Sequence, residues 1–146
     1  MELRTEVEIA APPSAVWAVI GDFPAYAEWN PFIVHVSGEV RVGATLDVTV
    51  SPPGGSEMRF RPTVLVADPG RELRWRGQLF FRGLFDGEHF FQLIELPGGR
   101  TKLVHGENFS GILVRLLGSA LTKTARGFVL MNQALKRRVE GQGSSR

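Results

Sequence analysis

The chain has no cysteine among its 146 residues, so neither a disulfide framework nor thiol chemistry is open to it. That absence fits a reducing, cytoplasmic setting. No apolar run approaches the ~18 residues that a membrane span requires. Met1-Glu2-Leu3-Arg4 lacks the basic-then-apolar order of a signal peptide. A charge excess of one sign is also missing. The formal net charge of +2 is small and scattered, which argues against nucleic acid as a partner. There is no H-E-x-x-H pair, no facial triad at usable spacing and no G-x-S-x-G elbow, and Gly54-Gly55 and Gly98-Gly99 read as turns, not as a phosphate loop. No metal and no cofactor is therefore expected.

What is present is a pattern of alternation. Leu3, Thr5, Val7 and Ile9 alternate with Glu2, Arg4, Glu6 and Glu8, a half-buried strand. Pro12-Pro13 ends it, and Pro13 or Ser14 opens a short helix to Ile20. Gly21-Asp22 stops that helix, and Asp22 is placed to cap a second one through Ala27. Strands are expected over 33–36, 45–51, 58–67, 72–79, 87–96 and 101–109. Ser51-Pro52-Pro53-Gly54-Gly55, Asp68-Pro69-Gly70 and Pro97-Gly98-Gly99 punctuate them. Over 58–67 the alternation sets Met58, Phe60, Pro62, Val64 and Val66 on one side. Over 72–79 it sets Leu73, Trp75 and Gly77 together.

From about Ile112 to Val139 the period changes. Leu113, Leu117, Ala120, Thr124, Phe128, Met131, Leu135 and Val139 recur at three or four residues, an amphipathic helix. Gly118 and Gly127 weaken it by roughly 1 kcal/mol each relative to alanine, which suits a close approach to the sheet. Residues 1–140 read as one domain, and residues 141–146 as a flexible tail.

Three stretches carry a family resemblance. They are Ala11-Pro12-Pro13-Ser14-Ala15-Val16-Trp17, then Trp29-Asn30-Pro31-Phe32-Ile33, then His89-Phe90-Phe91 through Gly98-Gly99-Arg100-Thr101 to His105-Gly106-Glu107-Asn108-Phe109-Ser110-Gly111. In their order and spacing the chain resembles the START, polyketide cyclase and pollen-allergen superfamily, the SRPBCC proteins. The resemblance implies an α+β helix-grip fold. In it, a curved antiparallel sheet of about six or seven strands wraps a long C-terminal helix, with two short helices after the first strand. Functions in that superfamily range from lipid and sterol carriers to aromatic polyketide cyclases, hormone receptors and chaperone-activating domains, so the fold leaves the function open.

The candidate site residues follow from which face is inward. Lys102 marks the outer side of the last strand, which turns Leu103, His105, Glu107 and Phe109 inward. A carboxylate facing an apolar hollow needs a partner. His89 on the neighbouring strand qualifies only in one register. A strict two-residue Gly98-Gly99 turn puts Phe90 opposite Glu107, turns His89 outward and sets Glu95 against Lys102. A three-residue loop or bulge turns His89, Phe91 and Leu93 inward with Glu107. The superfamily's H-x-F-x-L pattern favours the second.

His89, His105 and Glu107 are the catalytic candidates. The same three tie the sheet together, or orient a ligand, if no reaction occurs. Trp29, Phe60, Trp75, Phe91, Phe109, Phe128 and Asn132 complete the candidate ligand-binding set. The leading expectation is a protein, monomer or homodimer, that binds a hydrophobic small molecule or lipid in an internal cavity. A cyclase or dehydratase using His and Glu is the alternative, and a protein-interaction or membrane-recruitment module the third.

Overall fold

The computed structural model describes residues 1–79, 85–111 and 118–144. Strand β1 (Glu2–Ile9) leads to helix α1 (Pro13–Ile20), a 3-10 turn (Phe23–Ala25) and helix α2 (Tyr26–Trp29). Strands β2 (Ile33–Ser37), β3 (Asp47–Val50), β4 (Met58–Phe60), β5 (Thr63–Asp68), β6 (Glu72–Leu79), β7 (Phe85–Leu96) and β8 (Arg100–Ser110) follow, and helix α3 (Gly118–Ser144) closes the order. Five strands form an antiparallel sheet in the order β1-β8-β7-β6-β5, and β2-β3-β4 form a second, three-stranded sheet. This is the α+β helix-grip arrangement. Among the described residues no helix is long and apolar enough to cross a membrane.

Three expectations are corrected in the first two-thirds of the chain. Asp22 makes no side-chain capping bond, and the second helix is split into the 3-10 turn and α2, ending at Trp29 instead of Ala27. The single strand expected over 58–67 is two strands in different sheets. Pro62 has no N–H to offer a ladder. Its carbonyl instead accepts from the Leu46 N–H at 2.8 Å, while Thr45 bridges to Thr63. So β4 stays with β3 and β5 moves to β6, which gives eight strands in two sheets among the described residues. A register shift between Val64 and Val66 further breaks the shared face: Val64 is buried, Val66 half-buried and Met58 exposed.

Helix α3 buries Leu121, Phe128, Met131, Asn132, Leu135 and Val139. Ala120 is exposed and Thr124 half-buried, so the inward stripe is rotated slightly from the one expected. The expected start at Ile112, with Leu113 and Leu117, lies outside the described residues. At its far end the helix runs through Ser144, so residues 141–144 are helical where a flexible tail was expected. Residues 145 and 146 lie outside the described residues. The helix is pinned to β1 by Lys136 Nζ, which donates to the Glu8 carbonyl at 2.8 Å, and by Glu140, which accepts from the Ala10 N–H at 2.8 Å.

Gly127 is the close approach, to a phenylalanine in place of the sheet. A Cβ there would overlap the ring of Phe32, itself buried and packed edge-on against Phe128 at 5.4 Å. Gly118, by contrast, faces open space. Alanine at position 127 would gain about 1 kcal/mol in helix propensity but overpack the Phe32 ring, costing about 1–3 kcal/mol. Gly127→Ala is expected to lower the urea midpoint at unchanged slope, and Phe32→Leu in the same chain to restore part of the loss. A midpoint that rises in Gly127→Ala would show that Phe32 yields freely.

Candidate functional site

The site begins with a hairpin. Leu96 pairs with Arg100, so the β7–β8 loop is the three residues Pro97, Gly98 and Gly99. Gly98 and Gly99 hold φ of +86° and +73°, a left-handed conformation that side chains resist. That loop length sets the parity of the ladder. His89 pairs with Glu107, Phe91 with His105 and Leu93 with Leu103, all on the inner face. The two-residue-turn register is therefore excluded. Phe90 turns to the outer face, buried beneath the Arg74 guanidinium at 4.8 Å. Glu95 pairs with Thr101, and Lys102 meets Glu6 at 3.2 Å.

Between the inner face and α3 lies a cavity of about 130 Å3. Its walls are apolar: Phe32, Ile33, Val48, Val50, Phe60, Trp75, Phe109 and Leu121, among others. Gly77 and Gly87 pair across β6 and β7 and leave the floor bare backbone. A Cβ on Gly87 would overlap Glu107 Oε2, so this glycine makes room for the carboxyl. Among the described residues the polar side chains on the wall are His89, Glu107 and Thr124.

Behind that wall the polar groups continue as a chain. Glu107 Oε1 lies 3.4 Å from His89 Nδ1. His89 Nε2 is 2.7 Å from His105 Nε2, and His105 Nδ1 is 2.7 Å from Asn132 Oδ1. Asn132 Nδ2 donates to Thr5 Oγ1 at 2.8 Å, and Thr5 donates to the His105 carbonyl at 2.7 Å. Aromatic rings hold the imidazoles in place. His105 lies between Phe91 at 4.6 Å and Phe128 at 4.3 Å, both near-parallel to it, and His89 stacks on Trp75 at 5.2 Å.

Burial decides the protonation states. Removal from water raises Glu107 to about 8 and lowers His89 to about 3. His105, fully buried, is held well below its ordinary value by desolvation and then by its neighbour His89. Near neutral pH the chain is therefore an uncharged acid and two uncharged imidazoles. Among the described residues no group of three or more His, Asp and Glu side chains is arranged to hold a metal ion.

The structure brings Phe60, Trp75, His89, Glu107 and Phe109 together on the cavity wall. Phe91, His105, Phe128 and Asn132 stand behind it as the packed support. Trp29 is elsewhere, in a separate groove with Ala18, Asp22 and Arg138, packed against Tyr26 at 5.3 Å. Sequence reasoning missed Thr5, Gly77 and Gly87. A glycine at an inward strand position is a recognisable signal for a bulge or close approach, and here two such positions face each other.

The family model described as polyketide cyclase / dehydrase and lipid transport matches residues 1–140. No curated protein matches the chain. Among solved structures, the Zhui aromatase/cyclase from a Streptomyces species superposes with a TM-score of 0.77 at 19% identity, covering 96% of this chain and 93% of that one. A START superfamily protein from Mycobacterium smegmatis gives 0.68 at 22%, covering 97% and 98%. A norcoclaurine synthase from Thalictrum flavum gives 0.75 at 13%, covering 98% and 96%. At these identities the likeness is one of fold.

Proposed function

Since the chain belongs to the polyketide cyclase / dehydrase and lipid transport family, we propose that residues 1–140 act as one domain that holds a small apolar molecule in the cavity under α3. The observation that carries this reading is a hollow with apolar walls and one polar end, at Glu107 and His89. Such an arrangement fits a ligand that is mostly hydrocarbon with one oriented polar atom. The volume lies below the ~300–1,000 Å3 of drug-sized sites, which suits a single ring or one end of a longer chain.

Acid–base chemistry is the second reading, and a specific observation favours it. The Glu107 carboxyl, raised to about 8, sits near the working pH that a general acid or base needs. Two of the structural neighbours bear names of enzymes, an aromatase/cyclase and a norcoclaurine synthase.

Titration of single-ring apolar probes tests the binding reading. In a Trp17→Phe, Trp29→Phe background, Trp75 emission is expected to respond as the probe binds. A Cβ on Gly77 would stand at the cavity wall, in ordinary contact with Phe60 at 3.6 Å and Pro62 at 3.7 Å. Gly77→Val is therefore expected to project into the cavity and weaken binding at least tenfold with little change in stability. An unaltered affinity in Gly77→Val would place the probe outside this cavity.

A further inference from the structure

We infer that Glu107 meets the cavity as a neutral acid whose proton points to His89 and whose other oxygen, Oε2, accepts, so the cavity selects an apolar ring that carries a hydroxyl donor, a phenol or an enol. This rests on the reading that the cavity holds a small apolar molecule. The direction comes from an anchor of fixed polarity. The His105 carbonyl can only accept, and Thr5 Oγ1, 2.7 Å away, gives it the one proton a hydroxyl has.

The polarity then propagates link by link. Thr5 Oγ1 must accept from Asn132, at 2.8 Å, which turns the amide Nδ2 toward it. A flipped amide would set two acceptors, Oδ1 and the carbonyl, before a single hydroxyl proton. With Asn132 Oδ1 facing it at 2.7 Å, His105 Nδ1 carries hydrogen. In a neutral ring its Nε2 is then a lone pair, so His89 Nε2, at 2.7 Å, is the N–H. His89 Nδ1 is left as a lone pair, and Glu107 Oε1 must bring the proton. An ionised Glu107 that kept this contact would need a buried imidazolium, either His89 or His105. Burial opposes both charges, and the shifts of all three groups lie in that direction.

The cavity therefore sees acceptors. Glu107 Oε2 lies over the bare backbone of Gly87. The Thr124 hydroxyl gives its proton to the Ala120 carbonyl at 2.9 Å and offers the cavity only its oxygen. The titratable groups turned toward Glu107 among the described residues are His89 on β7 and, beyond it, His105 on β8. From β1 the neighbour is Leu3, and from α3 the cavity residues are Ala120, Leu121 and Thr124. Among the described residues a ketone, an ether or a carboxylate would find no side-chain donor, whereas a hydroxyl finds two acceptors.

The test compares 4-ethylphenol, 4-ethylanisole and 4-methylacetophenone by calorimetric titration at pH 7. The phenol is expected to bind about tenfold tighter than the other two, the worth of one buried hydrogen bond. Glu107→Gln is expected to keep that preference, because its amide N–H serves His89 Nδ1 and its carbonyl replaces Oε2. Nitrogen-15 NMR of the imidazoles is expected to show hydrogen on His105 Nδ1 and His89 Nε2. The opposite tautomers, or a loss of preference in a folded Glu107→Gln protein, overturn the inference. Equal binding of the three probes overturns the acceptor assignment alone. No binding by any of them overturns it together with the apolar-cavity reading.

Discussion

Phe128→Ala is expected to destabilise the protein by about 3–5 kcal/mol, the usual cost of removing a buried phenylalanine. The ring is completely buried and has three aromatic partners among the described residues: His105 stacked at 4.3 Å, His89 edge-on at 5.1 Å and Phe32 edge-on at 5.4 Å. Its loss opens a hollow directly behind the two imidazoles. The hydrogen-bonded chain then loses one wall of its support, and water gains a route to His105. Two results are expected together. Denaturant melts should show the large drop in stability, and the imidazole NMR signals should show exchange with water that the parent protein resists. Phe128→Leu, which keeps most of the volume, should cost far less. If Phe128→Ala is as stable as the parent, the helix does not grip the sheet through this residue.

Stability is expected to fall by about 1 kcal/mol as pH rises from 6.5 to 8. The sign follows from Glu107. Its ordinary value is 4.5 and its folded value about 8, so across that interval the folded chain holds a proton that the unfolded chain lacks. Unfolding then releases a proton, and stability declines with pH at up to about 1.4 kcal/mol per unit. The histidines act oppositely. His89 is about 3 folded against 6.5, and His105 is also depressed, so between about 3 and 6.5 the unfolded chain binds protons that the folded one does not. Stability therefore rises with pH in that lower window, where the histidine contribution opposes that of Glu107. The histidine contribution fades over the next unit, and above about 7.5 Glu107 acts alone. Urea midpoints of the parent and of Glu107→Gln across pH 5 to 9 would check this. The falling limb should vanish in Glu107→Gln while the rising limb remains. A falling limb of the same slope in both proteins would mean that another group is responsible.

The elements themselves were legible because each advertises a local period. Alternation marked β1, and the three-to-four-residue stripe through Phe128, Met131, Leu135 and Val139 marked α3. Local period says nothing, however, about which strand a segment pairs with. Residues 58–67 read as one strand because alternation continues through Pro62. Only the partners, β3 on one side of the proline and β6 on the other, separate β4 from β5.

For the site, residue types and spacing point to His105, Glu107 and Asn132, and one of two hairpin registers adds His89. Which of His89 or Phe90 faces inward stayed open, since it turns on a loop of two or three residues. The pairing of Leu96 with Arg100 and the positive φ of both glycines decided it. Parity likewise could not tell a cavity wall from the packing behind it, so Phe91 and Phe128 were grouped with Phe60 and Trp75, and Trp29 with all of them.

By itself, the sequence determined the fold class, the inward face of β8, and the presence of a carboxyl there in need of a partner. The last two depend on spacing along a few residues, and the fold class on the order of such stretches along the chain and the family resemblance they carry. The order of the hydrogen-bonded chain was decided by tertiary structure alone. Thr5 and Asn132 are 127 residues apart, and the proton direction that reaches Glu107 starts from a backbone carbonyl that β1 happens to cross. A periodic pattern records which way a side chain points. It carries no information on which distant donor stands opposite, and hydrogen-bond polarity is set by that donor.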